Sequence, residues 1–163
     1  EFSLLRCATE STGMLKTCKE LGVTLVAWAP LGGGKGRLTT SSLQRLEAGK
    51  PIDGLTEKAA HLLREVGVVA ESHKATVEQV AIAWVLAKGA VCLLGTRSKE
   101  HAVAGFKALE LQLSEEEMKR LDAAALQDDG MYNMLLAKNA VTRILARRVL
   151  VPLLQDPLPK SKL

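Results

Sequence analysis

The chain has 163 residues, of which 47% are hydrophobic, 25% charged and 3% aromatic. This is an ordinary globular composition for one domain and excludes a disordered chain, while so few aromatics argue against a stacking platform for single-stranded nucleic acid. The net charge of +4 belongs to the last segment: from Met131 to Leu163, Lys138, Arg143, Arg147, Arg148, Lys160 and Lys162 face only Asp156, and the rest of the chain is close to neutral.

The chain opens at "EFSLL" (1–5), without an initiator Met or a signal or transit segment, and this apolar run is expected to be a strand at a cut end. Met14, Cys18 and Leu21 fall at helical spacing and Gly22 follows as a C-cap, predicting a helix over 14–21. "VTLVAWA" (23–29) is an uninterrupted apolar strand. A helix joined by one glycine to such a strand is the second half of a βαβ unit. The two strands should therefore be parallel neighbours in a sheet covered on both faces. Residues 33–55 hold five glycines, a proline and no periodicity, and read as a long loop.

From Thr56, the stripe Ala59, Leu63, Val66, Ala70 predicts a helix. Thr76 with Gln79 forms a capping box for the next, whose Val77, Val80, Ala81, Trp84 and Val85 share one face; Gly89 ends it. "AVCLLG" (90–95) is a third apolar strand, Ser98 can cap a fourth helix, and Ser114 with Glu117 is a capping box for a fifth. The order β, α, β, loop, α, α, β, α, α means an α/β fold. Three parallel strands are too few for a stable sheet of this kind, so further strands are expected upstream.

Several side chains have structural explanations. Trp84 lies on an apolar stripe and belongs to the core. His61 and His73 have no partner at a useful spacing and read as surface or satisfied histidines. Glu115, Glu116 and Glu117 occupy a helix first turn, where carboxylates favour the dipole. Cys7, Cys18 and Cys92 are odd in number, with no CxxC pair and no His at ligand spacing, which predicts thiols in a reducing compartment and no metal. No stretch reaches the ~20 apolar residues of a membrane span.

The second strand runs into "PLGGGKG", four glycines in the five residues from Gly32 to Gly36. A Walker A loop fails here, because Ala29 stands at its first glycine and Gly36 at its hydroxyl position; GxGxxG fails because Arg37 occupies the third glycine's place. The loop is either a surface connection or a ligand site at a strand's carboxyl end. The third strand ends similarly, in "LLGTRSKEH", where a helix start with Thr96, Arg97, Ser98, Lys99 and His101 offers NH groups and cations to a phosphate.

"CKELGVTLVAWAPLGGG" resembles the seventh strand of the aldo-keto reductase superfamily, and "VEQVAIAWVLAKGAVCLLGTRSKEHAVAGFKALELQLSEEEMKRLDA" resembles the following helix, eighth strand and closing helices. The two motifs stand in the family's order and spacing, within residues 1 to about 125. The resemblance implies the C-terminal portion of a TIM (β/α)8 barrel, strands six to eight with their helices over 1–125, followed by a helical basic tail over 126–163. It also implies an NADPH-dependent oxidoreductase that reduces a small-molecule aldehyde or ketone to an alcohol.

The resemblance assigns Trp28 to the nicotinamide ring. Ala29, Pro30, Leu31, Gly32, Gly33 and Gly34 fall in the pyrophosphate loop, and Gly95, Thr96, Arg97, Ser98 and His101 at the adenosine 2′-phosphate. Bare backbone would admit the pyrophosphate closely. Ala29 stands where the family usually has Ser, and Ala104 and Gly105 where many members have Glu and Asn against the adenine. The family's catalytic Asp, Tyr, Lys and His come from earlier strands and match no position here; Tyr132 lies beyond the last barrel helix. A non-catalytic NADP(H)-binding or regulatory subunit, or an inactive truncated product, is therefore the alternative. Alone, the chain is expected to be inactive and poorly folded or oligomeric, its strand edges open.

In the tail, Met134, Val141 and Leu145 share a helical face that Lys138 and Arg148 interrupt, which predicts packing on the barrel or a partner rather than on a membrane surface. The chain ends Ser161, Lys162, Leu163, the signal read by the peroxisomal import receptor, and a peroxisomal location is expected, with cytoplasm or plastid as alternatives.

Overall fold

The computed structural model describes residues 1–33, 38–96 and 98–126. The tail helix expected from Met131 and the terminal Ser161, Lys162 and Leu163 lie outside the described residues.

Phe2, Leu4, Leu5 and Cys7 are all buried, yet "EFSLL" is not a strand. It makes a tight turn in which Ser3 and Arg6 exchange backbone hydrogen bonds of 3.2 and 2.9 Å. The apolar side chains go into a helical core, and the Phe2 N–H bond to the Trp28 carbonyl, at 3.4 Å, ties the turn to the sheet. Two short helices follow, α1 (Ala8–Ser11) and α2 (Met14–Glu20), and then β1 (Val26–Trp28).

The expected loop over 33–55 contains a helix, α3 (Thr40–Glu47), whose cap Thr39 accepts the Ser42 N–H. Beyond it, α4 (Glu57–Ser72), α5 (Val77–Ala87) and β2 (Val91–Leu93) fall where the periodicity places them. They are followed by α6 (Lys99–Phe106), a 3-10 turn (Lys107–Glu110) and α7 (Glu115–Ala124). Both capping boxes form: Thr76 with Gln79, and Ser114 with Glu117. Each satisfies two N–H groups that a helix start leaves unpaired, which is why these boundaries are legible locally.

Among the described residues the sheet has two strands, parallel, with Val26 opposite Val91, Ala27 opposite Cys92 and Trp28 opposite Leu93. Both strands are shorter than their apolar runs, and burial on both faces is not met. Ala27 and Cys92 turn toward the helical layer, and α5 packs behind β2. Val26, Trp28, Val91 and Leu93 form an open apolar face, 57%, 52%, 51% and 62% exposed.

The core lies between the turn at 2–7 and helices α4, α5 and α7. Phe2 and Trp84 meet with ring centroids 5.2 Å apart. Trp84 is fully buried, as its stripe predicts, and its indole N–H donates to Asp122 at 2.8 Å. Lys88 sits over the same ring and pairs with Glu10 and Asp122, each at 2.8 Å, tying α5 to α1 and α7. Leu126 closes the unit by bonding to Leu4 and Cys7.

The three cysteines are free: Cys7 is buried, Cys18 and Cys92 partly so. Burial, with the Glu10 carboxylate adding, pushes the Cys7 thiol up to about 12, and burial pushes Cys92 up to about 11, so neither is a thiolate at neutral pH. No helix among the described residues is long and apolar enough to cross a membrane, and no three His, Cys, Asp or Glu side chains among them gather as metal ligands.

Candidate functional site

Because β1 and β2 are parallel and in register, both chains leave the sheet at the same end. The segment from Ala29 to Gly33 and that from Leu94 to Ser98 thus start side by side, at the edge where open α/β sheets place ligands.

The first segment is shaped by left-handed backbone. Ala29 has φ of +54°, a conformation that costs an alanine about 1 kcal/mol, and the Gly32 N–H closes a turn onto the Ala29 carbonyl at 2.9 Å. Gly32 and Gly33 follow at φ of +92° and +95°. A Cβ on Gly32 would run into the Leu5 side chain, whereas at Gly33 it would make only an ordinary contact with the Glu1 carboxylate, at 3.8 Å. Pro30 is buried and Leu31 half-buried. Trp28, at the strand end, shows half its surface on the open sheet face beside Leu93. Gly34 lies outside the described residues.

The loop is closed at its base, where the buried Leu38 donates its N–H to the Leu31 carbonyl at 3.1 Å. Two residues on, α3 begins. The Thr40 N–H and hydroxyl both donate to the Glu78 carboxylate, at 3.1 and 2.8 Å, and the Thr40 hydroxyl accepts the Val77 N–H at 3.3 Å. One carboxylate and one hydroxyl thus join the N-terminal turns of α3 and α5, where the helix dipoles favour negative charge. Sequence reasoning missed this pair. Thr40 falls in the stretch expected to be a loop, and its partnership with Glu78 spans distant parts of the chain.

The second segment ends in a cap. The Ser98 hydroxyl accepts the His101 N–H at 3.2 Å, as the sequence predicts, and Thr96 braces the turn: its hydroxyl donates to the Ser98 carbonyl at 2.9 Å and accepts the Ser98 N–H at 3.3 Å. Gly95 has no neighbour within reach of a Cβ. Thr96 and His101 are exposed, so the turn opens α6 toward solvent. Arg97 lies outside the described residues. The Gln79 side chain donates to the Ala104 carbonyl at 3.0 Å and fastens α6 to α5.

Away from these strand ends, His73 gains a partner. Its Nε2 lies 2.8 Å from Glu117, joining the end of α4 to the start of α7. His61 lines a cleft of about 810 Å³ with Arg6, Thr56 and Lys58 at the start of α4.

The sequence profile of the Aldo/keto reductase family matches residues 1–126. The chain is 31% identical over 127 residues to a pyridoxal reductase, chloroplastic, of Arabidopsis thaliana, an alignment covering 77% of this chain and 35% of that protein. It is 30% identical over 132 residues to an aldo-keto reductase of Gibberella moniliformis, covering 73% and 39%. Among solved structures, a thermostable aldo-keto reductase in complex with the inhibitor epalrestat superposes with a TM-score of 0.58 at 33% identity, over 77% of this chain and 38% of that one. An aldo-keto reductase from a deep-sea metagenome library, 20% identical, shares the fold at a TM-score of 0.55, over 77% of this chain and 37% of that one. The chain thus spans 35–39% of the length of these curated relatives.

Proposed function

The chain belongs to the aldo/keto reductase family, and on that premise we propose that it is the C-terminal portion of a TIM barrel whose two adjacent strand ends hold NADPH. The observation that carries this reading is the pair of glycine-bearing loops leaving one parallel ladder at the same end. The residues fit the group. Backbone without a side chain at Gly33 leaves room for a pyrophosphate, and Leu5 keeps position 32 bare. Trp28 offers a half-exposed ring for the nicotinamide, with Ala29, Pro30 and Leu31 at the loop entry. Gly95, Thr96, Ser98 and His101 gather at a capped helix start that suits the adenosine 2′-phosphate, to which Arg97 would add its charge.

The chemistry this group supplies when bound is hydride donation to the carbonyl carbon of an aldehyde or ketone. This chain's part is to hold and orient it. Carbonyl reduction is proposed of the whole protein, because the catalytic Asp, Tyr, Lys and His of the resemblance match no position among these residues. The second reading, an NADP(H)-binding subunit without turnover, rests on the same site. Titration of NADPH and NADH separates the outcomes. Arg97→Glu should weaken NADPH by about tenfold or more and NADH far less, the loss expected for one charge-assisted contact. Equal losses for both would remove the 2′-phosphate assignment.

The open face of Val26, Trp28, Val91 and Leu93 suits the interior side of such a barrel. By itself the chain should associate through it. The terminal Ser161, Lys162 and Leu163 support a peroxisomal location through the import receptor. A fluorescent protein carrying this tail should gather in peroxisomes, and diffuse signal would oppose that.

A further inference from the structure

The glycine loop has two ends, and the sequence draws attention only to the first. Its exit is held by three contacts in a row: the Leu38 N–H on the Leu31 carbonyl, the Thr40 N–H and hydroxyl on Glu78, and the Val77 N–H on the Thr40 hydroxyl. Glu78 lies in the first turn of α5, whose inner face is deeply buried, with Val80, Ala81, Trp84 and Val85 inaccessible. Its carboxylate is therefore carried by a rigid support. Thr40 opens α3, which leans on α4 where Leu43 fills the notch at Gly67. Without the clip, that contact, the burial of Leu38, its bond to Leu31 and the Thr39 cap remain, but the polar tie from the start of α3 to α5 is lost.

We propose that Glu78 is a positioning residue for dinucleotide binding: acting through Thr40, it sets the place of Leu38 and so the aim of the Leu31–Gly33 backbone. The inference rests on the nucleotide reading above and adds its control. Among the described residues Glu78 bonds to Thr40 and not to Leu31, Gly32 or Gly33, and its influence is expected at the pyrophosphate end of the ligand. The Thr96–His101 turn is fastened separately, through Gln79 and Ala104. The two halves of the site are thus tied to α5 by neighbouring residues with different tasks.

The test uses the full chain and its Glu78→Ala, Glu78→Gln and Thr40→Val variants, with two probes titrated by fluorescence: NADPH, and adenosine 2′,5′-bisphosphate, which carries the 2′-phosphate but lacks the pyrophosphate bridge. Glu78→Ala and Thr40→Val should weaken NADPH by about five- to twentyfold, the scale of one or two lost polar contacts, while the bisphosphate changes by less than about twofold. Glu78→Gln, which retains an acceptor for Thr40, should restore much of the loss. Equal weakening of both probes, in variants whose circular dichroism shows the helices weakened, would mean a general structural role and overturn the proposal. So would NADPH binding unchanged in Glu78→Ala and Thr40→Val. If the unaltered chain binds the bisphosphate but not NADPH, the proposal falls while the 2′-phosphate assignment stands. If it binds neither, the nucleotide reading falls and takes this proposal with it.

Discussion

Glu117→Gln removes one charge from the start of α7 with almost no change in size. In the folded chain Oε2 accepts the Ser114 N–H at 2.8 Å and the Ser114 hydroxyl at 3.0 Å. Oε1 faces His73 at 2.8 Å and the Ser72 hydroxyl at 3.3 Å. Burial pushes the Glu117 carboxyl up, but the Ser114 and His73 partners pull it further down, from 4.5 to about 2. A carboxyl depressed in this way stabilises the fold above its unfolded pKa, and the contribution is lost as pH falls through the folded value. At about 1.4 kcal/mol per pH unit the ceiling is about 3.5 kcal/mol; screening of a partly exposed side chain lowers the expected contribution to about 1–2 kcal/mol. Gln keeps the acceptor that the capping box needs, so the difference isolates charge. Urea unfolding of both proteins from pH 7 to pH 2, followed by far-ultraviolet circular dichroism, should show the variant weaker at pH 7 and the two curves converging between about pH 4.5 and 2. A constant offset across that range would refute the reasoning, because the deficit would then come from packing.

Gly32→Ala should cost about 2–4 kcal/mol, since the new methyl meets Leu5 at a positive φ, whereas Gly95→Ala, with open space and ordinary backbone, should stay within about 0.5 kcal/mol; urea midpoints compare them. Trp84→Phe deletes the N–H that Asp122 accepts and part of a buried ring, and should lower the unfolding free energy by about 1–3 kcal/mol; a loss below about 0.5 kcal/mol would deny the indole its role in the core. Val91→Asp puts a charge on the open sheet face and should shift the chain toward monomer in sedimentation velocity, while an unchanged distribution would mean that association uses another surface.

What the sequence reveals here depends on how far apart the interacting residues are. The starts of α5, α6 and α7 are legible because Thr76, Ser98 and Ser114 bond only a few residues ahead. The stripes of α4 and α5 are legible because burial follows the helical period. α3 is hidden because its buried contacts, Leu43 on Gly67 and Thr40 on Glu78, are long-range, and its own text, "TTSSLQRLE", is mostly polar. "EFSLL" misleads for the opposite reason. Its apolar residues are buried as a strand's would be, but in a turn, and period alone cannot tell the two apart. At the strand ends the glycines and the Ser98 cap are readable, while the Ala29 backbone and the bare position forced by Leu5 emerge only when the chain has folded.

The parallel pairing of Val26 with Val91 also governs the order in which this unit can assemble. The whole of α3, α4 and α5 lies between the two strands, so their ladder cannot form until that intervening chain has been drawn together, and the entropy of closing so long a loop falls on only three residue pairs. The α4–α5 hairpin closes over a short turn and brings its own capping box, which makes it the natural nucleus, with β2 following on to a surface already built. The strand ends that carry both glycine segments are then among the last parts to acquire their shape. Nascent chains would carry a formed helical layer well before these two segments are set side by side.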